Sequence, residues 1–179
     1  HIDHEIKNAK RGKKGYMIIK MNSLVDEEMM EKLYEASQAG VTIKLIIRGI
    51  CSLKPGVPGL SENIEAISIV DKFLEHSRIF YFYHGGNEKV YISSADWMVR
   101  NLDRRIEVTC PVYDPEIKRE LKKMLKIQLQ DNVKARILDD IQNNKYVQAN
   151  NKRVRAQGAY YFYLKRRKSQ IENLKKKNK

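Results

Sequence analysis

The stretch YMIIKMNSLVDEEMMEKLYEASQAGVTIKLIIRG, residues 16–49, decides the fold. YMIIKMN (16–22) is β-prone, and TIKLIIRG (42–49) is an apolar run of strand length that reads as buried. Between them, SLVDEEMMEKLYEASQAG carries the marks of a helix. Ser23 suits the N-cap, Asp26, Glu27 and Glu28 sit where the helix dipole favours acids, and Gly40 marks the stop. Met29, Met30, Leu33 and Ala36 fall at helical spacing and give that helix one apolar face. Strand, helix, strand within so short a span is a βαβ unit, which sets the two strands parallel.

Downstream, PGVPGLSEN (55–63) is a loop, and SIVDKFLEH (68–76) is expected to be a helix ending near His76. RIFYFYHGG and EKVYISS form a hairpin about Gly85-Gly86. RRIEVTCPVY (104–113) alternates like a strand, and Asp114-Pro115 opens a helix through about Ile127. From Asn132 onward the chain is expected to be mostly helical. These elements define the fold class: an α/β domain with a mixed, partly parallel sheet flanked by helices. No internal repeat or linker divides it, so residues 1–164 read as one domain and 165–179 as a basic tail.

A length of 179 residues, with 42% hydrophobic and 32% charged residues, describes a folded chain with a core. No stretch reaches the roughly 20 apolar residues of a membrane span. The chain opens on His1 rather than Met, which reads as an interior segment of a longer polypeptide. Cys51 and Cys110 are far apart, and neither they nor the four histidines show zinc-ligand spacing. A reducing cytoplasm is the expected location, with peripheral membrane association left open. The formal charge of +13 is unevenly spread. Residues 151–179 hold eleven Lys or Arg against Glu172 alone, a surplus of ten that leaves +3 for the rest. KRRK (165–168) and KKKNK (175–179) supply most of it, either as a solvated helix face or as a surface for a polyanion.

Arg48 closes the second parallel strand, at the sheet edge where open α/β folds bind ligands. His76 stands just before a strand, where an imidazole can serve as nucleophile, acid or base. Arg78 follows two residues later on the same face, and an arginine fork suits phosphoryl oxygens. YISSADWMVRNLDRRIE (91–107) is the densest polar segment. Ser93 and Ser94 can present hydroxyls and amides to an anion, with Asp96 in the following turn. Arg105 and Glu107 are expected on one face of the next strand, with Ile106 and Val108 turned to the core and Glu107 a candidate to orient His76. AYYFYLKRRK (159–168) reads either as a nucleic-acid surface or, through Ala156, Tyr160, Tyr163 and Leu164, as an apolar stripe docking on the core.

SLVDEEMMEKLYEASQAG, IIRGICSLKPGVPGLSENI, SIVDKFLEHSRIFYF, VYISSADWMVRNLDRRIEV and VKARILDDIQNNKYV, in that order, resemble the C-terminal domain of the long-chain polyphosphate kinase family. The resemblance covers about Glu5 to Ala159. It implies reversible transfer of the terminal phosphate of ATP to inorganic polyphosphate, with Mg2+ held mainly outside this segment. It implies a phospholipase D-like fold, in which two halves each contribute a histidine to one site. The phosphorylated histidine would lie in a preceding domain, and the second essential histidine matches His76. The family's nucleotide-phosphate arginine matches Arg48, 28 residues before that histidine, and Arg105 matches a further phosphate-site arginine. ATP/ADP, polyphosphate, the preceding domains and further copies in a homo-oligomer are the implied partners. Arg78, Ser94, Asp96 and Glu107 are supporting candidates, and no residue is assigned to a metal.

The wider phospholipase D pattern, His-x-Lys with an Asp after four intervening residues, is not kept. Arg78 stands for the lysine, Tyr83 for the Asp, and SSAD (93–96) for Gly-Ser-x-Asn. Three other readings stay open: a phospholipase D-like phosphodiesterase completed by a homodimer, a basic nucleic-acid module, and a non-catalytic interaction domain.

Overall fold

The computed structural model describes residues 1–148 and 152–177, with side chains through Asn173, so the side chains of the basic run 175–179 lie outside it. The chain runs α1 (Ile2–Lys10), β1 (Tyr16–Met21), α2 (Glu27–Gln38), β2 (Thr42–Ile47), β3 (Ile64–Ile69) and β4 (Arg78–Phe82). It continues through β5 (Lys89–Ser93), α3 (Val99–Leu102), β6 (Thr109–Pro111), α4 (Pro115–Leu129), β7 (Ala135–Leu138) and α5 (Ala156–Lys177). Among the described residues the seven strands form one sheet in the order β6-β5-β4-β1-β2-β3-β7. β1, β2 and β3 are mutually parallel, and β4, β5, β6 and β7 join antiparallel to their neighbours.

Successive side chains on a strand point to opposite faces, so this sheet can bury both. Met17, Ile19 and Met21 of β1 face α1 and α2, packing with Ile43, Leu45, Leu33, Ala36, Phe80 and Trp97. Ile18 faces the other way, into a second core with Ile46, Ile79, Tyr81, Leu125 of α4 and Ala156 of α5. Lys20 shares that second face and is buried at 3% exposure, which no strand pattern announces. The βαβ unit, the β4–β5 hairpin and the helix from Pro115 are present as expected, with a 3-10 turn at His84–Gly86 closing the hairpin. Gly85 and Gly86 take φ of 66° and 96° there, the left-handed region glycine tolerates.

Five expectations need correcting. Asp26, not Ser23, caps α2, its carboxylate accepting from Met29 N at 3.1 Å. The predicted helix over 68–76 is instead the end of β3 and a loop. Ile64, Ala66 and Ile69 are buried by the sheet, whereas Val70, Phe73 and Leu74 are exposed and have no core to face. Residues 104–113 make only a three-residue edge strand, and Ile106 and Val108 are exposed rather than turned to the core. They lie beyond β5 at the sheet's margin, where Pro111 also cannot donate to a further strand. After Asn132 the chain first adds β7 to the open side of β3, and among the described residues beyond it the next helix is α5, from Ala156. On α5, Ala156, Tyr160 and Tyr163 do pack on the second core, while Leu164 is exposed. α5 runs unbroken through position 164. The opening helix α1 carries no strong signal in sequence, and buried Glu5 ties it down by accepting from Tyr16 N at 3.1 Å.

Candidate phosphate site

Strand direction brings the candidate residues to one edge. β1 and β2 end at the same margin, β4 starts there, and β5 runs back to end there. Asn22, Arg48, Arg78 and the Ser93–Asp96 turn therefore meet beyond the carboxyl ends of the parallel strands, where ligands bind in open α/β sheets. β3 ends at this margin too, and its exit loop carries His76.

Asp96 is the hub. One oxygen accepts from Asn22 N at 2.8 Å, Ser23 N at 3.2 Å, Asn22 Nδ2 at 3.3 Å and Arg78 Nε at 2.9 Å. The other accepts from Arg78 Nη2 at 3.0 Å, so the arginine is gripped at two points. Burial alone would raise the Asp96 pKa, but the Arg78 fork and the Asn22 and Ser23 amides outweigh it and hold the carboxyl below its ordinary value. Arg78 in turn points Nη1 at His76, 3.4 Å from both Nδ1 and the backbone oxygen. On the opposite side Asn22 Oδ1 accepts from Arg48 Nε at 2.9 Å. That leaves the two terminal nitrogens of Arg48 without a hydrogen bond among the described residues. Arg48, Asn22, Asp96, Arg78 and His76 thus form one continuous chain of contacts.

Gly49 explains the residue after Arg48. Its amide donates to Asn22 O at 2.7 Å, and a Cβ there would meet that oxygen at 3.0 Å. Glu75 fixes the loop next to His76. Its carboxylate meets buried Lys20 at 3.3 Å, accepts from Gln157 Nε2 at 3.2 Å and also accepts from Gln128. Burial lowers the Lys20 pKa, Glu75 works against that shift, and the nearby Arg48 charge adds to it. The same loop is tied to α5 by Gln157, which exchanges hydrogen bonds with the backbone of Phe73 at 3.0 and 2.7 Å.

A second polar group adjoins the first. Glu107 accepts from Ser94 Oγ and from Asn101 Nδ2 at 2.5 Å, and Ser94 Oγ accepts from Val108 N at 2.9 Å. Those hydrogen bonds from Ser94 and Asn101 lower the Glu107 pKa, helped by the charges of Arg105 and Arg78. Glu107 therefore organises the β5–β6 turn and makes no hydrogen bond to His76, contrary to the orienting role expected of it. Arg105 is exposed, off any strand, and linked to this group only through its charge near Glu107. Asp96 likewise serves as the internal clamp of Arg78 rather than as a group facing ligand. Asn22, Glu75 and Lys20 were missed in sequence. Asn22 directly after a strand that precedes a helix was the one available hint.

Neither carboxylate suits a divalent cation. Asp96 has both oxygens committed to donors, and so has Glu107. No group of three or more His, Cys, Asp or Glu is arranged for a metal among the described residues. No step is assigned to Mg2+.

The fold is that of the phospholipase D class. The structure of Nuc, a phospholipase D family member from Salmonella typhimurium, superimposes with a TM-score of 0.54 at 12% identity, over 75% of this chain and 88% of that one. Within that class the family is specific. Residues 1–157 match the family described as polyphosphate kinase C-terminal domain 2, and the chain belongs to it. Polyphosphate kinase of Vibrio parahaemolyticus is 52% identical over 175 residues, 97% of this chain and 25% of that protein. The crystal structure of polyphosphate kinase from Porphyromonas gingivalis matches with a TM-score of 0.92 and 54% identity, over 94% of this chain and 26% of that one. The chain spans about a quarter of the length of the relatives it matches. No helix among its described residues is long and apolar enough to cross a membrane.

Proposed function

We propose that this chain forms one half of the phosphoryl-transfer site of a polyphosphate kinase, which moves the terminal phosphate of ATP reversibly to inorganic polyphosphate. The observation that carries this reading is the continuous contact chain from Arg48 to His76 at the ligand-binding edge of the sheet. Phosphoryl transfer asks chiefly for alignment and for cations around the equatorial oxygens. Arg48, braced through Nε by Asn22, offers its terminal nitrogens to those oxygens, each such bond being worth about 1.5–3 kcal/mol. Arg105, on the exposed turn beside Glu107, adds a second cation. Arg78, clamped by Asp96, sets the position of the imidazole. His76 acts as acid, base or hydrogen-bond donor to the transferring phosphate, opposite a phosphohistidine carried by a preceding domain. ATP, ADP and polyphosphate are the substrates, and Mg2+ is held by groups outside this chain. The complete enzyme works in the cytoplasm as a homo-oligomer, with no nucleic-acid partner.

The test uses the full-length enzyme with radiolabelled ATP, following acid-stable polymer. His76→Ala is expected to lose at least about a hundredfold in synthesis with an unchanged circular dichroism spectrum. Wild-type turnover in that variant removes His76 from the mechanism. The 179-residue chain alone is expected to make no polymer from ATP.

A further inference from the structure

α4 and α5 lie against one another on the face opposite α1 and α2, and the cleft between them is strongly basic. Arg119, Lys122, Lys123 and Lys126 project from α4 at helical spacing, and Arg166 and Arg167 face them from α5. Together they line an open groove of about 780 Å³, far larger than a single phosphate ion needs. Along α5 it extends from Tyr163 to Ile171, about 12 Å at helical rise. Its acids are partly spent: Arg167 is paired with Glu120, and Arg119 with Glu116 at 2.9 Å. Lys123, Lys126 and Arg166 are exposed and have no carboxylate partner among the described residues.

We propose that this groove is a second binding site for the phosphate polymer, holding several consecutive phosphates away from the site of transfer. The assignment rests on the polyphosphate kinase reading for the identity of its ligand. Two observations favour a bare phosphate chain over a nucleic acid. Single-stranded nucleic acids are held by free aromatic faces as well as cations. The one aromatic residue in this groove is committed: Tyr163 stacks on Tyr160 at 6.0 Å, donates its hydroxyl to Glu120 at 3.2 Å and lies under Lys123 at 5.8 Å. Inside the groove the cations stand in a row with no free ring, which suits a ligand that is charge and nothing else; the exposed Phe162 lies beside Arg166 but outside that lining. The second observation is continuity. Two residues past Lys126, Gln128 bonds Glu75, the neighbour of His76, and at the start of α5 Gln157 bonds the same carboxylate. The Lys126–Tyr163 end of the groove is therefore the end nearer the loop that carries His76, the direction a polymer engaged by both sites would run.

The experiment measures binding of a medium-length inorganic polyphosphate to the 179-residue chain across a salt series. The groove variant is Arg119→Gln/Lys123→Gln/Lys126→Gln/Arg166→Gln; Lys122 is spared because it supports Glu88 and Tyr81. The control, Lys7→Gln/Lys10→Gln/Arg11→Gln/Lys13→Gln, removes the same charge from exposed positions on and just after α1. The groove variant is expected to weaken binding at least about tenfold at low salt and to flatten the log–log salt slope by roughly 3, four contacts at about 0.7 each. The control is expected to stay within about threefold. Equal losses in the two variants overturn the proposal, since attraction is then overall charge. Tighter binding of oligo-dT of equal charge, lost in the groove variant, also overturns it and makes the groove a nucleic-acid surface. Arg48→Gln separates the two sites. If it weakens binding while the groove variant matches wild type, the groove fails and the transfer-site reading stands. If the groove variant is weak and Arg48→Gln is unaffected, the groove stands and the role given to Arg48 falls.

Discussion

Asp96→Asn removes one charge from the hub of the site and leaves its shape intact, so its cost can be worked out from the contacts. Arg78 and Asp96 are only 10% and 8% exposed at their side chains, which puts the pair among buried ion pairs rather than surface ones. Removing one partner of such a pair costs about 3–5 kcal/mol, because the remaining charge is left uncompensated. The asparagine oxygen can still accept from Asn22 N and Ser23 N, now 2.8 and 3.2 Å from the carboxylate, which holds the loss near the low end, about 3 kcal/mol. Asp96→Ala also strands those amides and should cost about 1–3 kcal/mol more. Trp97, the only tryptophan and buried beside Asp96, reports unfolding in urea by its fluorescence. The expected signature is a lower midpoint at unchanged slope. Arg78→Met in the Asp96→Asn background should recover part of the loss, since the unpaired cation goes with it. The Asp96 carboxyl is held below its unfolded value near 3.9, so its contribution is fully present above about pH 4. That contribution fades as pH falls through the folded pKa, and the gap between wild type and Asp96→Asn should close over the same window. A loss under about 0.5 kcal/mol at pH 7, or a gap that persists through the acid limb, refutes the clamp.

Two further outcomes follow from local geometry. Gly49→Ala places a Cβ at 3.0 Å from Asn22 O, and the shift this forces should loosen the Asn22–Arg48 contact. In the full-length enzyme the KM for ATP should rise with little change in the circular dichroism spectrum; an unaltered KM counts against Arg48 as a phosphate ligand. Burial pushes the Cys51 thiol up to about 11, against the opposing pull of a hydrogen bond to Leu53 O, whereas Cys110 is exposed. Iodoacetamide at pH 8 should therefore modify Cys110 about a hundredfold faster than Cys51 in the folded chain, as peptide mapping would read out. Equal rates would mean that Cys51 is not enclosed.

What was legible in the sequence is what repeats over several residues. The βαβ unit, the glycine-closed hairpin and the helix opened by Asp114-Pro115 each rest on a periodic or capping signal several residues long. SIVDKFLEH misled because its apolar residues are split between a strand end and an exposed loop, so helical spacing there is accidental. Ile106 and Val108 alternate as a strand would, but they lie just before β6, the sheet's edge strand, with nothing to cover them. In the candidate site, Arg48, His76 and Arg78 could be singled out by chemistry and position. Asn22, Lys20 and Glu75 could not, because their roles depend on partners 26 to 74 positions away that only the folded sheet brings together. Glu107 takes its hydrogen bonds from Ser94 and Asn101, partners that its spacing from His76 does not reveal.

Lys20 has one consequence for how such a sequence can change over time. At 3% exposure it carries an ammonium group into the core, and Glu75 is the acid it pairs with. Loss of Glu75 leaves the Lys20 ammonium buried without its acid, whereas loss of Lys20 leaves Glu75 with its bonds from Gln157 and Gln128, so the two positions constrain each other unequally. Replacement of Glu75 costs least where Lys20 changes with it. Because Glu75 adjoins His76, that coupling also bears on the backbone that carries the imidazole.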